Sequence, residues 1–379
     1  MFSQTYKNLN IIDLSTNIAG PLAAMTLGDM GADVIKVERA PGGDDTRQLT
    51  PTWEGVSTVY LSVNRNKRSL LLDFKKSEDI RTLKKLIAKA DVVIESFPPG
   101  LGAKLGLSFD ELKLINADII LCSISAFGDG EIGAKKPGYD ALVQAVSGMM
   151  SFTGHKGQEP VRIAPSVLDI STGMWAAMSI MAAAKNRDNG EGAQHIRSAL
   201  IDSAFLLMCH QVAGFKATGI DPEKLGSGAP SAVPYRVYSA SDGSFMLATA
   251  SDPQFVRLCN ALDISELATD PRFESMNNRI KHRDQIDGVL ENKFSQRPVV
   301  HWLSFLAEQG LSVGPVNSVS SALEMDVIKE RGLFHNPEAN GWNSGMPLIR
   351  SPFDLDGSGW HRPPPALGEH TEEILKDLI

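Results

Sequence analysis

From Ile163 to Ala184 the chain runs through 22 residues in which Asp169 is the only charged side chain. A carboxylate among apolar neighbours is costly unless it is hydrogen-bonded, paired or put to use. Two uses are open to this one. Ser166-Val167-Leu168-Asp169 has the form of a capping box, with Ser166 as the N-cap of a helix and Asp169 in its first turn, where the helix dipole favours negative charge. A carboxylate can also act as a covalent nucleophile, and one held near helix N–H donors is expected to stay ionised at neutral pH. Attack on a thioester would then give an acyl-aspartyl anhydride and a thiolate leaving group. The two roles are compatible.

A second set of residues suits polyanions. Arg39, Arg47, Arg65, Lys67, Arg68, Lys75, Lys104, Lys135 and Lys136 fall mostly just after β-type runs, where charge-assisted hydrogen bonds to phosphate can form. Most surface Lys and Arg are simply solvated, so charge alone does not separate binders from the rest. Metal and hydrolase chemistry find little support, because the eight histidines form no H-E-x-x-H cluster and no G-x-S-x-G elbow occurs. His155, after Thr153-Gly154, reads either as a residue near a pocket or as a structural loop histidine. Gly226-Ser227-Gly228 is similarly two-sided, a mobile loop over a site or a plain linker.

The elements that must position these groups alternate. Ile11 to Ser15, Val34 to Glu38, Ser69 to Asp73, Val92 to Glu95 and Ile119 to Ser123 read as strands, with helical patterns at Pro21 to Met30, Glu78 to Lys89 and Phe109 to Ile115 between them. That alternation predicts an α/β fold with parallel strands and crossover helices. A further strand is expected over Gln194 to Ile201 and a helix over Asp202 to Lys216; beyond the Gly/Pro/Ser-rich stretch from Asp221 to Pro234, short strands around Val237 and Phe245 open a second domain. Helices are expected there over Asp252 to Leu262, Asn278 to Phe294 and Val299 to Gln309. The first βαβ unit mimics a dinucleotide-binding fold, with Glu38 where a ribose-binding acid would stand, but Asn17-Ile18-Ala19-Gly20-Pro21 lacks the G-x-G-x-x-G fingerprint. Pro21 suits a helix start, and Ala19-Gly20 lets backbone approach an anion closely at the strand-to-helix turn.

With 379 residues and a net charge of -8, the chain has room for two to three domains and argues against a nucleic-acid surface. Three widely spaced cysteines, Cys122, Cys209 and Cys259, read as core residues in a reducing compartment. No secretory signal is legible at the N-terminus, so the expected location is the cytoplasm. Pro165, Asp169, Ser171, Thr172 and Gly173 interrupt the apolar run too often for a membrane span, and a buried helix is expected there.

A series of short motifs runs in order along the chain: Ala19-Gly20-Pro21, Gly31-Ala32-Asp33-Val34-Ile35-Lys36-Val37-Glu38, Gly42-Gly43-Asp44-Asp45-Thr46-Arg47, Asn66-Lys67-Arg68-Ser69, Leu72-Asp73-Phe74-Lys75 and Pro137-Gly138-Tyr139-Asp140. Later come Ser147-Gly148, Thr153-Gly154, Pro234-Tyr235, Asp270-Pro271-Arg272-Phe273, Gly314-Pro315-Val316 and Leu367-Gly368-Glu369-His370-Thr371. Together they resemble the class III coenzyme A transferase family, also called CaiB/BaiF, over essentially the whole length. The resemblance implies a Rossmann-like large domain with a parallel sheet, built from both chain ends, plus a smaller α+β domain. On this reading residues 1–200 begin the large CoA-binding domain, 201–230 form a linker helix and loop, 231–325 the small domain, and 326–379 return to the large one. It further implies an interlocked homodimer.

By family position Asp169 is the catalytic carboxylate, and CoA contacts fall near Thr16, Asn17, Ile18, Ala19, Arg39, Leu72, Lys75, Phe97, Lys104 and Lys136. CoA enters as a thioester substrate together with a small carboxylic acid; no metal, bound prosthetic group or nucleic acid is implied. Ser96 and Ile18 stand where the formyl-CoA:oxalate branch is expected to carry Asn and Gln, so the resemblance does not carry oxalate specificity. The α-methylacyl-CoA racemase branch needs a histidine before the aspartate at this motif, and Tyr139 replaces it, removing one proton-transfer group. A racemase, a CoA-dependent dehydratase and a non-catalytic CoA-binding subunit are the rival readings.

Overall fold

A computed structural model describes residues 2–335, 346–354 and 356–378. The chain divides into two units, one made of Met1–Met149, Arg162–Ile220 and Gly332–Ile379, the other of Met150–Val161 and Asp221–Arg331. Residues 201–220, read from sequence as the start of a linker, group with the first unit, and 150–161 group with the second.

The first unit is built on six strands: β1 (Asn10–Asp13), β2 (Asp33–Arg39), β3 (Lys67–Leu72), β4 (Val92–Glu95), β5 (Ile120–Ser125) and β6 (Gln194–Ala199). Their order is β3-β2-β1-β4-β5-β6, and every neighbouring pair is parallel. This is the doubly wound Rossmann order, whose direction of winding reverses between β1 and β4. Helices cover the sheet, among them α1 (Ala19–Asp29), α2 (Ser77–Ile87), α3 (Phe109–Ile115), α4 (Asp140–Val146) and α5 (Val167–Asp188). Such coverage explains strands that are apolar on both faces, as in Val92, Val93 and Ile94, all at 1% exposure or less.

Helix α1 is Ala/Leu/Met-rich all round and buried, with Ala23, Ala24 and Leu27 wholly inside. It starts at Ala19, two residues before Pro21. The start is uncapped by any side chain, which leaves its first amides without a side-chain acceptor at the N-cap. Helix α5 crosses it closely at Gly173, where a Cβ would stand 2.6 Å from the Ala19 carbonyl oxygen. Asp169 lies one turn before Gly173 on the same helix face, so this close crossing carries the carboxylate to the mouth of the β1–α1 turn. By length and composition α5 could cross a membrane, but eight of its residues, from Leu168 to Ala184, are buried within the unit.

The helix expected over Asp202 to Lys216 is two helices, α6 (Leu200–Leu207) and α7 (Cys209–Thr218), broken where Met208 leaves helical geometry at φ -95° and ψ 18°. In the second unit β7 (Tyr235–Ser239), β8 (Ser244–Ala248) and β9 (Ser312–Pro315) form an antiparallel sheet in the order β9-β8-β7. The strand at Ser312–Pro315 carries no strand signal in the sequence, because Gly314-Pro315 reads locally as a turn. The pattern over Asn278 to Phe294 likewise breaks at His282, since a one-residue interruption leaves the 3.6-residue period nearly intact. In this unit His155 packs on the glycine loop, with its Nδ1 2.6 Å from where a Cβ on Gly226 would lie, and Gly226 N–H donates to the Gly154 carbonyl at 2.9 Å.

Candidate active site

Between the carboxyl ends of β1 and β4 lies a cavity of about 710 Å³. This is the reversal point at which open α/β sheets bind ligands. Of the sequence candidates, Thr16, Asn17, Ile18, Ala19, Phe97, Lys136 and Asp169 line it together. Arg39, Leu72, Lys75 and Lys104 are not on its described lining. Leu72 is in the core, and Arg39 is exposed and paired with Asp45.

The turn that brings Thr16 to Ala19 into the cavity is fixed from beneath by buried charge. Asp13, fully enclosed at the end of β1, accepts from Lys67 Nζ at 2.8 Å and from the Ser15 amide at 3.0 Å, and Lys36 Nζ stands 3.8 Å away. Lys36 Nζ in turn reaches Asp44 at 2.9 Å and donates to the Ser15 carbonyl at 3.0 Å. Lys67 also donates to the Pro21 carbonyl and Asn64 Oδ1 at 2.9 and 2.8 Å. Burial alone would raise the Asp13 pKa, but the Lys36 and Lys67 ammonium groups outweigh it and hold the carboxyl below its ordinary range. Burial, joined by the Lys36 charge, pulls Lys67 down to about 8. The turn is closed on its other side by the Thr16 amide donating to Ser96 Oγ at 3.0 Å, which ties the β1 end to the β4 end.

Several expected phosphate binders are therefore committed elsewhere. Arg47 holds Glu38 with two hydrogen bonds at 2.8 and 2.7 Å, Arg65 is buried on Asp29, Lys67 serves Asp13, and Arg68 bridges Asp33 and Glu373. Glu38, the apparent ribose acid, also accepts from Ser69 Oγ at 2.6 Å and is enclosed. Charge counts cannot distinguish these groups from ligand contacts, since each is a basic residue next to a strand.

Asp169 differs from all of them. It is half-buried on the cavity wall, and Ser166, although the N-cap residue of α5, makes no side-chain cap bond. The capping role belongs to Asp140, whose Oδ2 accepts from the Leu168 and Asp169 amides at 2.8 and 3.4 Å. Sequence spacing hid this cap, because it comes from 28 residues upstream. The expectation that helix amides keep Asp169 ionised is overturned for the same reason. Its enclosure, with the Asp140 charge adding to it, raises the carboxyl pKa to about 7. A carboxylate with this proton affinity is a better nucleophile than an ordinary one and still substantially ionised at neutral pH.

One cluster on the cavity lining carried no sequence signal. Glu95, its pKa raised by burial, accepts from the Phe97 amide at 2.7 Å, and Ser123 Oγ lies 2.9 Å from His195 Nε2. These residues sit on three adjacent strands, and only the observed strand order brings them together.

The chain as a whole is similar to known proteins. The model of "CoA-transferase family III" matches residues 6–371. A succinate–glutarate CoA-transferase of Agrobacterium fabrum (strain C58) is 36% identical, with 98% of this chain and 94% of that protein aligned. The succinyl-CoA:glutarate CoA-transferase of Homo sapiens is 32% identical over 98% of this chain and 86% of its own length. Among solved structures, a CaiB/BaiF family protein from Brucella suis superposes with a TM-score of 0.86 at 35% identity, covering 98% of both chains.

Proposed function

This chain belongs to CoA-transferase family III, and from that premise we propose that it moves CoA from an acyl-CoA donor to a small carboxylic acid through a covalent intermediate on Asp169. The observation that carries the reading is a half-buried carboxylate with no ion-pair partner among the described residues, its pKa raised to about 7, on the wall of the cavity at the sheet's reversal point.

The cycle balances without any net proton. An Asp169 oxygen attacks the donor thioester carbonyl; the C–O bond forms, the C–S bond breaks, and CoA leaves as thiolate. The thiolate attacks the aspartyl carbonyl of the anhydride, releasing the donor acid as carboxylate and leaving an aspartyl-CoA thioester. The acceptor carboxylate attacks that thioester, and the expelled thiolate then attacks the acceptor's acyl carbon, restoring the Asp169 carboxylate. Each carbonyl attack builds an oxyanion, whose stabilisation by a backbone donor is worth about 3 kcal/mol in related acyl transfers.

Thr16, Asn17, Ile18, Ala19, Phe97 and Lys136 are proposed CoA contacts because they share the cavity with Asp169. Arg39, Leu72, Lys75 and Lys104 are proposed on the family resemblance alone. The two glutarate-named relatives make succinyl-CoA and glutarate the first pair to test. Interlocked homodimerisation is supported by exposed apolar side chains on α5, Ile170, Met174, Trp175 and Met178, and on α6 and α7, Phe205, Leu206 and Phe215. The three free cysteines suit the reducing cytoplasm.

The test is a panel of mono- and dicarboxylates offered with succinyl-CoA and acetyl-CoA. New acyl-CoA should appear for at least one acid at the rate at which donor disappears. Tight CoA binding with no exchange on any acid would contradict the reading. Solvent deuterium entering the α-carbon without an acceptor would instead favour a racemase.

A further inference from the structure

Helix α5 begins beside the nucleophile, so its free amides are the obvious donors to the Asp169 carboxylate. They are taken by another residue. Asp140, at 5% exposure, accepts from the Leu168 and Asp169 amides through Oδ2, at 2.8 and 3.4 Å. Its second oxygen accepts from Gln144 Nε2 at 2.6 Å, and Gln144 Oε1 in turn accepts from the Ile163 amide at 2.8 Å. Both carboxyl oxygens are thus anchored, one on the start of α5 and one through Gln144 on the segment leading into it.

We propose that Asp140 is a positioning residue for the transfer reaction: it occupies the amides that would otherwise neutralise Asp169, and it places a fixed negative charge beside the nucleophile. This rests on the covalent reading above. A cap alone would be served equally well by a neutral acceptor such as Ser, Thr or Asn. A buried carboxylate is costlier than these, and what it adds is charge. Burial is the larger cause of the raised Asp169 pKa, and the Asp140 charge adds to it in the same direction. The other charged groups on the cavity lining are Asp45, Glu95, Asp129, Lys136, Arg197 and Asp202, of which Arg197 is tied to Asp129.

The experiment measures how fast the full-length protein forms the Asp169 adduct with succinyl-CoA and hydroxylamine between pH 5 and pH 9, for wild type, Asp140→Asn and Asp140→Ser. Wild type should show a midpoint near 7. Both neutral variants keep an acceptor for the amides, so their thermal unfolding should stay close to wild type. Their midpoints should drop measurably, by less than half of the rise from 3.8 to about 7, because burial, the larger cause, is unchanged. A folded variant whose midpoint stays with wild type while its rate falls would reduce Asp140 to a helix cap and overturn the proposal. Absence of any adduct in wild type would strike the covalent reading instead, so the two failures are distinct.

Discussion

Two carboxylates of the first unit, Asp13 enclosed beneath the Thr16–Ala19 turn and Asp169 on the cavity wall, have been given opposite environments. Asp13 is fully enclosed, touches the Lys67 ammonium and is held below its ordinary pKa. Asp169 is only half enclosed, has no cationic partner among the described residues, and is raised to about 7. Desolvation raises both; at Asp13 two lysines reverse the sign, whereas at Asp169 burial alone sets it and the neighbouring aspartate adds to it. A paired buried carboxylate holds a backbone turn in place; an unpaired one beside a like charge keeps its reactivity.

The comparison breaks most severely at the nucleophile. Asp169→Ala should lower transferase turnover about a thousandfold or more while leaving the fold intact, read by steady-state assay beside a thermal melt. The reverse pattern is expected under the turn. Lys67→Met takes from the buried Asp13 the nearer of its two ammonium groups and should cost about 3 kcal/mol of stability in urea unfolding, while the folded fraction still forms the Asp169 adduct.

A pH series sharpens the contrast, because the two groups pull stability in opposite directions. Asp169 binds its proton more tightly folded than unfolded, so its contribution falls as pH rises from the ordinary 3.8 through about 7. Asp13 is depressed in the fold, so its contribution is present above the ordinary value and fades as pH falls below it. Asp169→Asn should therefore be more stable than wild type at pH 8 by about 2 kcal/mol, and much closer to it at pH 5, in denaturant titrations. The smallest effect is expected at Ser166: with no cap bond to lose, Ser166→Ala should change stability by less than about 0.5 kcal/mol, well short of the ~1 kcal/mol usual for an N-cap.

What the sequence carried was local. Val92–Glu95 and Phe109–Ile115 are found where periodicity placed them, and Asp169 stood out as the lone charge in an apolar run. What it did not carry was partnership across distance. Arg47, Arg65, Lys67 and Arg68 look like phosphate binders until their acidic partners, up to 305 positions away, are in view. Asp140 sits in the motif Pro137-Gly138-Tyr139-Asp140, yet nothing in that motif shows that it caps a helix beginning at Val167. The Glu95, Ser123 and His195 cluster was equally invisible, because three strands far apart in the chain meet only once the sheet order is known.

The account turns most directly on one observation, the chemical fate of Asp169 during turnover. Incubation with succinyl-CoA and hydroxylamine followed by peptide mass spectrometry should find the hydroxamate on Asp169, dependent on the thioester and missing from Asp169→Asn. Continued CoA exchange with that side chain never modified, or full turnover in Asp169→Asn, would contradict it.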